Sequence, residues 1–241
     1  MQSDGKVHGS FSFRVVIASL LVGFVFIEIP AAESNSASSP DLTMGRSPRK
    51  DMLVANATFV VFDCETTGLS PTNDRVVEVG AVKFCNGKVI EEKSWLVNPQ
   101  RHIPPWVVKV HGIDDTMVKN SPTFKEMYPE FIAFIGDSVL MAHNARFDVS
   151  FVRAEIERNQ LPLPRNMTID SLYLFRKWFP EAKSHKLKDV ADEAKIETKT
   201  LHRGMADSMY VFLIFDKALV SKDPRITLSD LYTDCGGPLQ F

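Results

Sequence analysis

The chain has 241 residues, 44% hydrophobic and 24% charged, an ordinary globular composition that allows one domain or two. Its formal net charge of −2 excludes duplex binding through a global basic surface, so a nucleic-acid substrate needs bound cations or a local patch. Three cysteines (Cys64, Cys85, Cys235) are too few for a disulfide framework and lack the paired spacing of a zinc site.

The first fifty residues differ in kind from the rest. Lys6 and Arg14 face a single acid, Asp4, and lead into an apolar run from Val15 to Phe26. That run is short for a bilayer span and has the length of a signal-peptide core, with small residues following at Ala31 and Ala32. Residues 1–32 therefore have three readings: a cleaved signal peptide, an uncleaved membrane anchor, or a stretch never made because translation starts at Met44 or Met52. The first two imply export or membrane association, and the third a cytoplasmic protein. Residues 33–53, rich in Ser, Pro and charge, read as a disordered linker.

From Ala57 to Asp63 the run ATFVVFD is β-branched and aromatic, the composition of a buried strand. Gly68, Ser70 and Pro71 mark a turn. Arg75–Phe84 and Lys88–Val97 predict two further strands around an Asn86-Gly87 hairpin turn. Between Pro122 and Ile135, residues Phe124, Met127, Tyr128, Phe131 and Phe134 recur at helical spacing. Ser138–Ala142 predicts a short buried strand and Phe147–Asn159 a helix. Thr168–Trp178 predicts a strand end running into a helix, Leu187–Ala194 a short helix, and Asp207–Val220 a long apolar one. A meander followed by alternating strands and helices predicts an α/β domain over residues 54–220, a mixed sheet flanked by helices. Residues 221–241 are left as a C-terminal tail.

The chemistry sits where these elements meet. The first strand ends Asp63-Cys64-Glu65, and alternation on an extended backbone puts both carboxylates on one face with Cys64 on the other. Two acids there repel one another and lose hydration, which makes sense around a cation. Asp148, after His143-Asn144-Ala145-Arg146-Phe147, falls in the first turn of a helix, where the dipole favours a carboxylate. His202-Arg203-Gly204-Met205-Ala206-Asp207 places a loop histidine ahead of an aspartate that opens a helix. Taken singly, each has an ordinary explanation: a strand running out into solvent, a helix-start aspartate, a solvated loop histidine. Taken together, four acids and a histidine all lie at strand ends and helix starts, where α/β sheets build their sites. All-oxygen donors suit Mg2+ or Mn2+, and two such ions about 4 Å apart clamp a phosphodiester while a histidine takes the proton of the attacking water. The run Lys183–Lys188 (KSHKLK) reads as a solvated helix face or a small phosphate-contacting patch.

Phe62-Asp63-Cys64-Glu65-Thr66-Thr67-Gly68-Leu69 resembles the first motif of the DEDDh exonucleases, the family of the epsilon-type (DnaQ-like) proofreading subunits. His143–Asp148 resembles its second motif, His202–Asp207 the third, and His111-Gly112-Ile113 an element between them. The resemblance runs in order from Val54 to Val220. It implies a ribonuclease-H-like fold and a 3′-to-5′ exonuclease releasing nucleoside 5′-monophosphates. It also implies metal roles, in which Asp63 bridges two divalent cations, Glu65 and Asp207 hold the first and Asp148 helps hold the second. His202 becomes the general base. Thr66, Thr67 and Gly68 become holders of the terminal nucleotide, with Leu69 and Phe147 packing on bases. Asn144 and His111 line the strand path or serve structure.

Gly204 departs from the family's usual better helix former, which is expected to loosen the helix start slightly. The short tail leaves no room for the polymerase-tethering extension of epsilon subunits, so a polymerase partner is not expected. The expected substrate is single-stranded DNA or a DNA 3′ end. The same motifs also serve RNA, and a catalytically silent module that binds nucleic-acid ends is the non-enzymatic alternative.

Overall fold

The computed structural model describes residues 48–199 and 201–241. The readings of residues 1–32, and of the linker as far as residue 47, lie outside the described residues. Among the described residues no helix is long and apolar enough to cross a membrane.

Five strands form one mixed sheet in the order β3-β2-β1-β4-β5. They are β1 (Thr58–Thr66), β2 (Val76–Cys85), β3 (Lys88–Leu96), β4 (Val139–Ala142) and β5 (Thr168–Asp170). The first three form the expected antiparallel meander, closed by Asn86 and Gly87, both at positive φ as a tight two-residue hairpin turn demands. β4 and β5 then add in parallel on the other side of β1. The helices are α1 (Pro105–His111), α2 (Asp115–Val118), α3 (Phe124–Ile135), α4 (Ala145–Arg158), α5 (Ser171–Trp178), α6 (Leu187–Glu193), α7 (Gly204–Leu219) and α8 (Leu228–Asp234). The arrangement is the ribonuclease-H-like α/β sheet that the motifs implied.

Period-two alternation along β1 divides the core between the two faces of the sheet. Phe59 and Val61 pack with the buried sides of α5, α6, α7 and α8. Val60, Phe62 and Cys64 pack with α3 and α4. Asp63 and Glu65 continue the Phe59/Val61 parity, so they point toward the α7 face while Cys64 is buried on the other side, as the alternation predicts.

Several elements differ from the sequence expectation. α4 starts two residues earlier than expected and α7 three residues earlier, at Gly204, so Asp207 stands one turn into its helix instead of opening it. α1 and α2 lie in a stretch that predicted no element, because both are short and the apolar residues they bury, Val107 and Val118, are too few to mark a helical face. The tail is part of the core. Leu228 and Leu231 of α8 are fully buried, and Phe241 packs 6.1 Å from Phe62, ring centre to ring centre. The last residues of the expected linker are likewise tied down: Met52 O accepts from Leu228 N–H at 2.9 Å and Lys50 O from Ser229 N–H at 2.8 Å. A polar, Pro-rich composition says nothing about such backbone pairing with a segment far away in sequence.

Because the tail is part of the core, Leu231→Ala leaves a hole in the main cluster. Chemical denaturation should show a loss of about 3 kcal/mol, within the usual range for a fully buried leucine.

Candidate active site

β1 outruns its neighbour. Its pairing with β4 ends at Val61–Met141, so past that point the side of β1 facing β4 needs other partners. Asp148 supplies one, its Oδ1 accepting from Cys64 N–H at 2.9 Å. This carboxylate is 2% exposed, and the bond fixes it beside the strand that carries Asp63 and Glu65. Asp148 and Asp207 each occupy the fourth position of its helix, near the positive end of the dipole, and the two helices lie on opposite faces of the sheet.

The turn before α4 is set by Asn144, which is left-handed (φ 64°) and exposed. Its N–H donates to Asp170 Oδ1 at 3.1 Å, and the same oxygen caps α5 through Leu172 N–H at 3.0 Å. Asp170 is buried and thus clamps the loop leading to Asp148.

The start of α7 is held by close approach. A Cβ built on Gly80 would fall 1.9 Å from Met205 N and 2.0 Å from the Gly204 carbonyl carbon. One built on Gly204 would fall 2.8 Å from Gly80 N and 2.9 Å from Asp63 O. Gly204 therefore does more than lower helix propensity: the missing side chain lets the helix start lie directly on β1 and β2. That contact brings Asp207 to Asp63 and Glu65, whose ligand oxygens all come within 4.8 Å of one another.

His202 stands on the turn just before α7, exposed and left-handed at φ 63°. Its N–H donates to Asp207 Oδ2 at 3.0 Å, and Asp207 Oδ1 is buried with no hydrogen-bond partner among the described residues.

The electrostatics follow from crowding. Burial pushes the Asp63 carboxyl well above the carboxylate range, and repulsion from Asp148, Glu65, Asp207 and Glu78 adds to it. Burial, with repulsion from Asp207 and Glu78, raises Glu65 to about 7. Asp148 and Asp207 are also raised by burial, opposed by the N–H bonds from Cys64 and His202 respectively. Four mutually repelling carboxylates, and an orphaned oxygen on one of them, are a donor set that fits a hard divalent cation. Ligand oxygens within 4.8 Å of one another need to close by only a few tenths of an ångström to surround one ion at about 2.1 Å, which sets opposed oxygens about 4.2 Å apart.

The remaining candidates divide. His111 is buried. Its Nδ1 accepts from Ile113 N–H at 3.0 Å, which leaves Nε2 to donate to Thr66 O at 3.3 Å, and burial lowers its pKa. It braces the end of β1 from α1. The hydroxyls of Thr66 and Thr67 serve the turn after β1, on Gly68 O at 2.6 Å and Asp74 Oδ1 at 3.3 Å. Gly68 has no room for a Cβ beside Asp74, whose carboxylate would lie 2.3 Å away. Leu69 is 74% exposed, and Phe147 is half-buried with its ring 4.8 Å from Phe151.

Sequence reasoning missed Glu78, Gly80 and Asp170. Glu78 had a signal: an acid in the middle of the apolar strand RVVEVGAVKF rarely faces inward without a partner.

The profile of the Exonuclease family (RNase_T) matches residues 60–215, which spans all four motifs. The chain belongs to the exonuclease family. Its motifs place it among the DEDDh, DnaQ-like members. It is 40% identical over 161 residues to a PolC-type DNA polymerase III of Caldanaerobacter subterraneus, covering 67% of this chain and 11% of the polymerase. It is 39% identical over 170 residues to a Mycobacterium tuberculosis protein named as a bifunctional exonuclease/endonuclease, covering 67% of this chain and 26% of that one. The chain thus spans only a minor part of these relatives. In three dimensions the fold resembles E. coli exonuclease I solved with single-stranded DNA, with TM-score 0.63, 20% identity, and 69% of this chain and 41% of that one covered. It also resembles exonuclease X solved with 5′-overhanging duplex DNA, with TM-score 0.55, 26% identity, and 72% and 98% covered.

Two outcomes test the geometry. Gly80→Val should push α7 off the sheet, costing about 3 kcal/mol in denaturation. Glu65→Gln should stabilise the metal-free protein at pH 8. Because the folded pKa of Glu65 is raised, wild type loses stability as pH rises from about 4.5 to about 7, and the advantage of the variant should vanish by pH 4.5. An advantage that stayed constant with pH would contradict the crowding.

Proposed function

We propose that this domain hydrolyses the 3′-terminal phosphodiester of single-stranded DNA or of DNA ends, releasing nucleoside 5′-monophosphates one at a time. The observation that carries this reading is the convergence of Asp63, Glu65 and Asp207 within 4.8 Å, with Asp148 bonded to the same strand and His202 at the rim. DNA is favoured over RNA because the named relatives and neighbours are a DNA polymerase and exonucleases solved with DNA.

In this reading Asp63, Glu65 and Asp207, with Asp148 beside them, would hold the divalent cations, Mg2+ or Mn2+. When bound, such ions polarise the scissile phosphate and lower the pKa of a water. His202 accepts the proton of the attacking water at its imidazole, a task open to an exposed histidine at the rim of the acid cluster. Its place at the rim leaves room for water and for the strand end. The turn from Thr66 to Leu69 holds the terminal nucleotide, with the exposed Leu69 side chain against its base. The half-buried Phe147 supports the neighbouring base from α4.

The decisive experiment digests a 5′-labelled DNA strand and its RNA counterpart, with Mg2+ and with a chelator. A ladder shortening from the 3′ end of the DNA, abolished by chelation, is expected, and a preference for the RNA would transfer the assignment to RNA. Internal cuts would overturn it. Asp63→Ala should reduce the rate by at least about 10^3-fold through loss of a cation-holding carboxylate at the centre of the cluster. His202→Ala should lower kcat by about 10^2-fold or more with little change in KM.

A further inference from the structure

We propose that Glu78 is a positioning residue for the exonuclease reaction. Its buried carboxylate holds the turn His202–Gly204 against β2 and so sets where the His202 imidazole stands relative to the acid cluster. The proposal rests on the exonuclease reading above.

Glu78 lies opposite Glu65 in the β1–β2 register, on the strand next to the one that carries the acids. Its side chain is 1% exposed, yet every polar contact it makes is directional. Oε1 accepts from Ser94 Oγ at 2.7 Å and from an Arg203 terminal nitrogen at 3.1 Å. Oε2 accepts from Arg203 Nε at 3.2 Å and from Gly204 N–H at 3.2 Å. The guanidinium therefore grips the carboxylate with two prongs while the backbone of the next residue is pinned by the same group. Arg203 directly follows His202, and Gly204 opens α7. Ser94 anchors the carboxylate from the far side, on β3.

A left-handed histidine is an uncommon conformation that persists only where its surroundings enforce it. Here the enforcement comes from both ends of the turn. Asp207 Oδ2 takes the N–H of His202, and Glu78 takes the side chain of Arg203 and the N–H of Gly204. Stability alone is a poor reason for this arrangement. An ion pair between a buried carboxylate and a half-exposed arginine adds little by itself, and a second acid beside Glu65 raises the repulsion in the cluster. What the pair supplies is direction: it fixes the trajectory of the backbone that presents the histidine.

The test compares steady-state kinetics on a 5′-labelled single strand with Mg2+ for wild type, Glu78→Gln, Arg203→Lys, His202→Ala and the double variant Glu78→Gln/His202→Ala. Wild type that fails to shorten the strand would remove the exonuclease reading before any variant is compared. With wild type active, Glu78→Gln should lower kcat about tenfold, the size seen for residues that orient a catalytic group, leaving KM and Tm near wild type. Arg203→Lys keeps the counter-charge but loses the fork, and should show the same kcat loss. In the His202→Ala background, Glu78→Gln should change the rate by less than about twofold, because there is no imidazole left to misplace. The proposal is overturned if Glu78→Gln keeps kcat within about twofold of wild type, or if it costs the same factor with and without His202. Should Glu78→Gln fail to fold by circular dichroism, Arg203→Lys and its double variant with His202→Ala decide on the same criteria.

Discussion

Helix α7 begins with its backbone lying on strand β2, and at Gly80 nothing larger than a hydrogen fits between them. Asp63 and Glu65 are placed by a strand and would point at α7 however it sat. Asp207 meets them because α7 starts in contact with the sheet, and a helix needs small residues on both sides to come that near. The turn that carries His202 is a consequence of the same contact, since the chain must descend to the sheet before the helix starts. One steric condition thus brings Asp207 and the histidine to the two acids that the strand already presents.

The fourth acid depends on a different shortage. β4 stops pairing with β1 before β1 ends, and Asp148 takes an N–H on that stretch. A backbone donor that would otherwise be unsatisfied becomes the anchor for a side chain from α4, on the opposite face of the sheet. Two further buried carboxylates, Glu78 and Asp170, each tie down a loop that delivers an acid to the cluster. Negative charge therefore accumulates well beyond the four candidate ligands. The apolar layers on both faces of the sheet offset that cost, and a bound divalent cation relieves it. The fold is least comfortable where its chemistry is expected, the usual signature of a site built ahead of its ligand.

Much of this was legible in residue order. β1, β2 and β3 show β-branched runs and an Asn-Gly turn, local signals that do not depend on the rest of the chain. α3 shows five apolar residues on one face. α1, α2 and α8 were not legible because they are short and their stability comes from what they pack against, as with Leu231 against the main core. The early start of α7 was hidden by Gly204, whose poor propensity argues locally against a helix. Tertiary contact with Gly80 overrides that preference.

The sequence by itself determined the family, the identity of the acids and histidine, and the shared face of Asp63 and Glu65, because motif spacing and strand alternation are properties of neighbours along the chain. Only the tertiary structure decided that Asp207 reaches Asp63 while His111, Thr66 and Thr67 are engaged in holding the turn. It alone identified Glu78 and Arg203 as partners across 125 residues. Contacts of that kind depend on how closely two elements approach, and approach distance is set by side-chain volume at the interface, which no local pattern encodes.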